Sequence, residues 1–446
     1  MVAKRTGLAR ARKAAAYTQE SLAEALHVDA TTIGNWETGR TEPLPYKRPK
    51  LAKLLRITAA ELERLLRNDD AVSNSSPVAG PVSVTSPNEQ TSPPVPGSGS
   101  TPPRRRISTP DSSTTTSASA IFPALNDDEQ ARVIEAIKNP RHHLDQSVLD
   151  AFHRQLSSSM NDDGAHGPAK TLPAVLGLLQ IVERCAHEAR PTSRRELLSL
   201  GARGAEFAGW LHRDSDDLES AVFWYDRAME WAQEAGNFPL QGYILLKKSQ
   251  MAYDQRNAAR VLALARVSHE GPWQFPLRMQ AEVTQQLALG MAMVGESLPA
   301  IERTLDNART TLSQAPVDDS PDAFNAYFTD STLLLRNAST YTEAGKPAWA
   351  ARVFGEALAD ATLSHRDSGY FRARRSAALS LSGEPDEAAA LGLHSIRVAT
   401  TTDSRRTLRV LVDVAGNLTP WASRPLVREL QDAVAVSVSA TRPLSR

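Results

Sequence analysis

The sequence predicts an all-α protein built from a small five-helix head, a disordered Pro/Ser/Thr-rich linker and an α-helical-hairpin solenoid. Apolar residues recur at helical spacing on both sides of residues 69–120, and few runs alternate as strands do. The segment 69–120 contains nine prolines, no aromatic residue and one isoleucine, and it cannot bury enough apolar surface to fold. These observations divide the chain into a head at 1–68, a linker at 69–120, a helical cap region at 121–190 and a hairpin array at 191–446.

The composition excludes several classes of protein. The chain has 446 residues with 51 Lys+Arg against 51 Asp+Glu, so neither a uniformly basic coat protein for nucleic acid nor an acidic solvating chain is expected. The single cysteine, Cys185, excludes an intrachain disulfide and an all-cysteine zinc site, in keeping with a reducing compartment. No signal-peptide core and no run of 18 apolar residues is present, so a cytoplasmic protein is expected.

The neutral total hides a basic N-terminus. Residues 1–68 contain 5 Lys and 8 Arg against 7 acidic residues, a balance of +6, whereas residues 121–446 have a balance of −5. Only a positively charged surface gains from lying along phosphates. Any function that involves nucleic acid is therefore expected in the head.

Capping residues and apolar spacing predict five short helices in the head. A second helix over 19–26 follows the cap residue Thr18, and a third helix over 30–37 follows Asp29 and stops at Gly39. A capping-box pattern that begins at Thr58 opens the last helix. The residues predicted to face inward are Leu22, Ala23, Leu26, Ile33, Trp36, Leu62, Leu65 and Leu66.

Two helices of about eight residues joined by a three-residue turn can place the second helix in a DNA major groove. The residues at fixed spacing are Leu8-x-x-Ala11-Arg12-x-x-Ala15-x-x-Thr18-Gln19-Glu20-x-Leu22-Ala23, then Val28, then Thr32-Ile33-x-x-Trp36-Glu37-x-Gly39-Arg40-x-x-Pro43. This pattern resembles the Xre and Cro-repressor-like helix-turn-helix family of transcriptional regulators. The resemblance covers about 60 residues, and it implies binding to a double-stranded DNA operator.

The resemblance also implies roles for individual residues. Gln19, at the start of the second helix, would hold a phosphate, which suits the partial positive charge of a helix N-terminus. Arg12 and Glu37 would form a partly buried ion pair, against the alternative that they are unrelated surface charges. Arg40 and its neighbours would grip the DNA backbone.

Residues on the outward face of the third helix are candidates for base contacts. These positions are Ala30, Thr31, Gly34 and Asn35, and their side chains are shorter than those that the family often places there. An asparagine can address adenine, and a threonine can contact a base edge or a thymine methyl group. The fourth helix is expected to begin late because prolines crowd its start, which exposes Lys47 and Arg48 toward the DNA backbone.

The family usually has glycine at the turn where this chain has His27. Histidine is one of the residues that tolerate a positive φ, so the turn is expected to survive. This departure bears on which DNA is read more than on whether DNA is read.

Turns in the C-terminal part recur with a period typical of helical solenoids. Glycine turns occur at residues 295–296, 345–347 and 383–385, the last two 38 residues apart. About six hairpins are expected between Arg194 and Val438, with an irregular insertion near 313–320. Small-large-small triplets, Ala221, Tyr225, Ala228 and Ala350, Phe354, Ala357, resemble the second-helix signature of tetratricopeptide repeats. A generic bundle of α-hairpins is the alternative.

The arrangement of head, linker and repeat array resembles a group of large regulators common in actinobacteria. Arginine outnumbers lysine 41 to 10, as in proteins from GC-rich genomes. Related regulators bind peptides or small signals in the concavity of their repeats, so a peptide or protein is a candidate ligand by analogy.

No catalytic motif stands out in the sequence. Cys185 and His187 are two residues apart on a helix and point in different directions, and His142, His143 and His153 lack a carboxylate at metal-ligand spacing. No phosphate-binding glycine loop is present. The chain is therefore expected to be a non-enzyme without a cofactor or metal.

The sequence predicts a DNA-binding transcriptional regulator whose helical domain dimerises, receives a signal or binds a partner. A homodimer through the C-terminal domain is expected because a single head offers few base contacts. One alternative is a partner-binding scaffold of tetratricopeptide type with weak or vestigial DNA binding. An antitoxin-like module is a third, although such chains are usually much shorter.

Overall fold

The protein is all-α, as predicted, throughout the part of the chain that a computed structural model describes, and no strand occurs there. The predicted linker at 69–120, His27 and the predicted DNA contacts Arg40 and Lys47 lie outside the described residues. The residues described are 6–15, 17–26, 28, 30–38, 43, 48–67, 122, 125–316, 325–360 and 363–441.

Five short helices make up the head in the residues that the structure describes. The second and third helices have the predicted bounds, and Thr18 caps the second because its hydroxyl accepts a hydrogen bond from the Ser21 N–H at 3.0 Å. The Thr58 hydroxyl accepts one from the Glu61 N–H at 3.2 Å at the start of the last helix. The helices are α1 (Thr6–Ala14), α2 (Gln19–Leu26), α3 (Ala30–Glu37), α4 (Arg48–Leu55) and α5 (Ala59–Arg67).

Helices of eight or nine residues are marginal in isolation, so tertiary packing must hold them. One apolar core does so, and it contains Trp36, which confirms the prediction that this ring packs inside the head. The buried core residues are Leu8, Leu22, Ala23, Leu26, Ile33, Trp36, Leu51, Ala52, Leu55, Leu62 and Leu66.

The C-terminal part is an array of antiparallel helix pairs. Six hairpins, α10/α11 through α20/α21, occupy the region in which about six were predicted. The helices are α6 (Asp127–Lys138), α7 (Pro140–His143), α8 (Gln146–His166), α9 (Pro168–Glu188), α10 (Pro191–Asp214), α11 (Leu218–Glu234), α12 (Phe238–Asp254), α13 (Ala258–Glu270), α14 (Leu277–Val294), α15 (Leu298–Ser313), α16 (Asp330–Glu343), α17 (Pro347–Asp360), α18 (His365–Ser382), α19 (Pro385–Thr401), α20 (Arg405–Asn417) and α21 (Pro425–Thr441).

Each predicted glycine turn joins the first and second helix of one hairpin, α14/α15, α16/α17 or α18/α19. Gly295, Gly345 and Gly383 have φ of 82°, 76° and 88°, in the left-handed region that favours glycine. Elsewhere the second helix begins at an Asx cap: the side chains of Asp217 and Asn257 each accept a hydrogen bond from the N–H three residues on, at 3.1 Å. Turn chemistry thus sets the hairpin boundaries.

Small residues let the paired helices approach closely. Tyr225 and Phe354 are fully buried between alanines of their own helices, as the two small-large-small triplets require. Gly209 on α10 lies against the Tyr225 ring, where a Cβ would come within 2.7 Å of the ring. The cores of the array are therefore built from close helix contacts.

The array closes on itself, which the sequence did not indicate. Helix α8 packs against α18, and α10 packs against α20. At this closure Asp163 pairs with Arg366, and Asp214 Oδ1 accepts hydrogen bonds from the Ser404 hydroxyl at 2.9 Å and from Arg406 Nε at 3.2 Å. The hairpins therefore surround a central cavity instead of forming an open concave surface.

Candidate nucleic-acid interface

Helices α2 and α3 pack against each other through their apolar faces and present their polar faces outward. Only residues 27–29 connect them, and the buried Leu22 and Leu26 of α2 share a core with Ile33 and Trp36 of α3. Two packed helices separated by three residues are the arrangement that can place α3 in a major groove.

An ion pair joins α1 to the end of α3. Arg12 Nε donates to Glu37 Oε1 at 2.6 Å, and both side chains are only 9% exposed. A second guanidinium nitrogen lies 3.4 Å from Glu37 Oε2, and a third donates to the Tyr17 carbonyl at 2.7 Å. Such forked, buried pairing fixes the orientation of the two helices.

Gln19 is part of the same network. Its Nε2 donates to Glu37 Oε2 at 2.6 Å, so the side-chain donor expected to reach a phosphate is used inside the head. The separation of 18 residues explains why the sequence did not indicate this contact. Because the Thr18 hydroxyl accepts from the Ser21 N–H, the backbone N–H groups before Ser21 are the remaining candidates for a phosphate there.

The outer face of α3 carries two of the predicted base-contacting side chains. Thr31 is exposed and Asn35 is half-buried. Between them Gly34 is open, since a Cβ there would come no closer than 3.9 Å to Gln19. The Thr38 hydroxyl donates to the Gly34 carbonyl at 2.8 Å just after α3 ends. The side chain of Ala30 lies outside the described residues.

Some basic residues of the head form hydrogen bonds within it, and others are exposed to solvent. Arg48, expected to be exposed toward DNA, is half-buried and its Nε donates to the Pro43 carbonyl at 2.9 Å, because α4 begins at Arg48 and turns its side chain back toward Pro43. By contrast Arg10 and Lys13 on α1 are exposed, as is Lys53 on α4. Sequence reasoning did not single out these three residues, although they contribute to the basic balance of the head.

Within the described ranges, no group of three or more His, Cys, Asp or Glu side chains is arranged to hold a metal ion. In the same ranges no helix combines the length and the apolar character that crossing a membrane requires.

Comparison with known families and proteins agrees with this geometry. No curated protein matches the chain. Residues 8–62 match the helix-turn-helix family HTH_3, a segment that runs from α1 into α5 and includes Arg12, Gln19 and the whole of α3. The N-terminal head is therefore a helix-turn-helix domain of the Xre-like kind, followed by a helical C-terminal region.

Proposed function

We propose that the protein is a sequence-specific DNA-binding transcriptional regulator. The observation that carries the proposal is the match of 8–62 to a helix-turn-helix family, together with the packed helices α2 and α3, of which α3 has a polar outer face. In this proposal α3 enters the major groove of a double-stranded operator and the rest of the head contacts phosphates.

Base recognition is assigned to α3. Asn35 would contact adenine and Thr31 a base edge or thymine methyl group, with Ala30 lying close to the bases. Phosphate contacts are assigned to the N–H groups at the start of α2 and to Arg40, Lys47 and Arg48. Gln19 would act as a positioning residue through Glu37.

A titration of labelled duplex DNA tests this proposal. Sequences selected by the full-length protein from a random pool are expected to bind with an affinity that falls steeply as salt rises. Arg40→Ala should weaken all sequences alike and reduce the salt slope by about 1. Asn35→Ala should cost about 1–3 kcal/mol on the selected sequence and little on random DNA.

Glu135→Ala is the control, since Glu135 lies on α6, outside the head, in an exposed ion pair with Lys138. It is expected to bind both kinds of DNA as the wild type does. Failure of the wild type to bind any duplex at low salt would overturn the proposal.

The C-terminal region is proposed to hold two heads together. Operators with two half-sites require paired heads, and the helical array, of tetratricopeptide type in this proposal, offers the largest ordered surface for self-association. Sedimentation of the full-length protein at micromolar concentration is expected to give a dimer. A monomer that binds DNA one head at a time would contradict this part of the proposal.

A partner-binding scaffold is the second candidate function, favoured by the short side chains on the outer face of α3. It predicts weak DNA binding with no sequence preference, so the same titration separates the two. In both proposals the protein is not an enzyme. A regulator of chromosomal genes would act in the cytoplasm, where the DNA is.

A further inference from the structure

The closed array surrounds a cavity of about 590 Å³. Helix α8 and the first helix of each of the six hairpins line the cavity, and the turn that precedes α16 completes its wall. Cavities of 300–1,000 Å³ are typical binding sites for small molecules. The space is therefore sized for a small molecule.

One carboxylate organises part of the cavity wall. Glu282 on α14 is completely buried and accepts hydrogen bonds from Tyr327 Oη at 2.6 Å, Gln250 Nε2 at 3.0 Å and Asn325 Nδ2 at 3.2 Å. An Arg336 nitrogen lies 3.2 Å from it. Burial alone would raise the pKa of Glu282, but Arg336 and the other neighbours lower it. The carboxylate therefore stays charged and holds these four side chains in place.

Tyr327 presents an aromatic surface to the cavity. It lines the cavity and keeps 43% of its surface exposed, although its hydroxyl is fixed by Glu282 and receives a hydrogen bond from Lys247 Nζ at 3.0 Å. The Arg336 guanidinium lies 5.9 Å from the centre of the ring. The Lys247 ammonium also lies 4.9 Å from the ring centre, so it is the part of the ring that remains exposed that can stack against a planar group.

Lys247 is a buried cation with unused donors. It is 7% exposed, and its ammonium has three N–H groups, of which Tyr327 accepts one. Two carboxylates, Glu206 and Glu282, act on its charge, but Glu206 Oε1 lies at 3.8 Å, beyond hydrogen-bond distance. The ammonium also lies 4.7 Å from the centre of the Tyr243 ring. Burial lowers the pKa of Lys247 and raises the pKa of Glu206. The ammonium thus has carboxylates nearby but donates a single hydrogen bond, to Tyr327.

Unpaired acceptors lie on the same wall. Within the described residues, Gln285 Oε1 and Asn325 Oδ1 are buried and accept no hydrogen bond, although the amide nitrogen of each donates one. Leaving a buried polar atom unpaired costs free energy. The two amides and the unused N–H groups of Lys247 are groups of the cavity wall with which a ligand could form hydrogen bonds.

We propose that this cavity binds a small organic anion built on a planar ring that carries N–H or O–H donors. The anionic group lies against Lys247 and Arg336, the ring stacks on Tyr327, and the donors on the ring pair with the amides of Gln285 and Asn325, whose enclosed oxygens must turn toward the cavity to accept them. The closure of the array restricts the occupant to a small molecule. The proposal concerns the C-terminal region alone and does not depend on DNA binding by the head.

Thermal unfolding and calorimetric titration of the full-length protein test the proposal with two aromatic carboxylates, 4-hydroxybenzoate and indole-3-acetate. Each is compared at millimolar concentration with its own primary amide, which keeps the ring and loses the charge. At least one carboxylate is expected to raise the unfolding temperature saturably, because a ligand that binds only the folded state stabilises it. The matching amide is expected to bind at least tenfold more weakly.

Substitutions of cavity residues test whether the ligand binds in the cavity. Lys247→Met is expected to weaken binding of the carboxylate at least tenfold, and Tyr327→Leu to weaken both carboxylate and amide. Lys248→Met is the matched control, since the neighbouring Lys248 pairs with Asp226 on α11 and does not line the cavity. It should bind as the wild type does.

Circular dichroism establishes that each variant is folded before it is compared. The proposal would be overturned if neither carboxylate bound to the wild type, or if a carboxylate and its amide bound with equal affinity. Unchanged carboxylate affinity in folded Lys247→Met would also overturn it, because the anion would then lie elsewhere.

Discussion

Arg366, at the start of α18, forms a buried ion pair with Asp163, which lies 203 residues earlier on α8. Trp210 Nε1 donates to the same carboxylate at 3.1 Å, and the Arg366 guanidinium lies 4.9 Å from the centre of the Trp210 ring. Burial raises the pKa of Asp163 in spite of these partners. The two ends of the helical array therefore meet at a charged contact shielded from solvent.

Removing the cation of this contact should destabilise the closed array. Arg366→Met would leave Asp163 buried without its charge partner, which is expected to cost about 3–5 kcal/mol. Urea unfolding of the full-length protein, followed by circular dichroism, measures the loss.

Arg194→Met is the matched control for this substitution. The side chains of Arg194 and its partner Glu234 are 41% and 39% exposed, so losing that pair should cost at most about 1 kcal/mol. Equal losses in the two variants would mean that the contact between Arg366 and Asp163 does not hold the array closed.

The head depends on a second buried pair. Arg12→Ala and Glu37→Ala are each expected to lower the stability of α1–α5 by about 3–5 kcal/mol, since each leaves a buried charge without its partner. The double variant should lose much less than the sum of the two single losses. Hydrogen exchange measured on peptides from residues 6–67 reports this local stability within the intact chain.

Lys138→Ala, which breaks an exposed pair on α6, serves as the control and should leave exchange in the head unchanged. Small and additive effects of Arg12→Ala and Glu37→Ala would show that the two charges act independently.

Two helical glycines should respond oppositely to the same substitution. A Cβ at Gly209 would lie 2.7 Å from the buried Tyr225 ring, so Gly209→Ala is expected to destabilise the protein by about 1–3 kcal/mol. Gly416, on α20, has no atom within 4 Å of such a Cβ, and Gly416→Ala should stabilise by about 0.5–1 kcal/mol. Urea midpoints compare the two, and a neutral Gly209→Ala would refute close packing of α10 on α11.

His212, near the end of α10, should make stability depend on pH. Burial lowers its pKa, although Asp217, at 3.2 Å, opposes the shift. The unfolded chain takes up the proton near pH 6.5 while the folded protein resists it, so stability is present above about pH 6.5 and is lost as the pH falls through the folded pKa.

His212→Gln removes the titrating group, so the variant should lose less stability than the wild type when the pH is lowered from 8 to 5.5. Urea midpoints at the two pH values provide the comparison. The same loss in both proteins would assign the pH dependence to other groups.

The sequence by itself determined the helices of the head and the turns of the array. Residues 19–26 and 30–37 carry their own caps and a one-sided apolar pattern, and both helices have the predicted bounds. The turns at Gly295, Gly345 and Gly383 require left-handed backbone, which glycine adopts at little cost. These features depend on residues within a few positions of one another, so local physics predicts them.

Only the tertiary structure decided which polar side chains form contacts within the protein and what shape the array takes. Three contacts join residues that no local sequence pattern relates. They are the hydrogen bond from Gln19 to Glu37, the hydrogen bond from Arg48 to the Pro43 carbonyl and the ion pair of Asp163 with Arg366. Helical periodicity fixes which face of a helix is buried, but not the small rotation between successive hairpins. That rotation, summed over the array, closes it around a cavity instead of leaving the open surface that the sequence suggested.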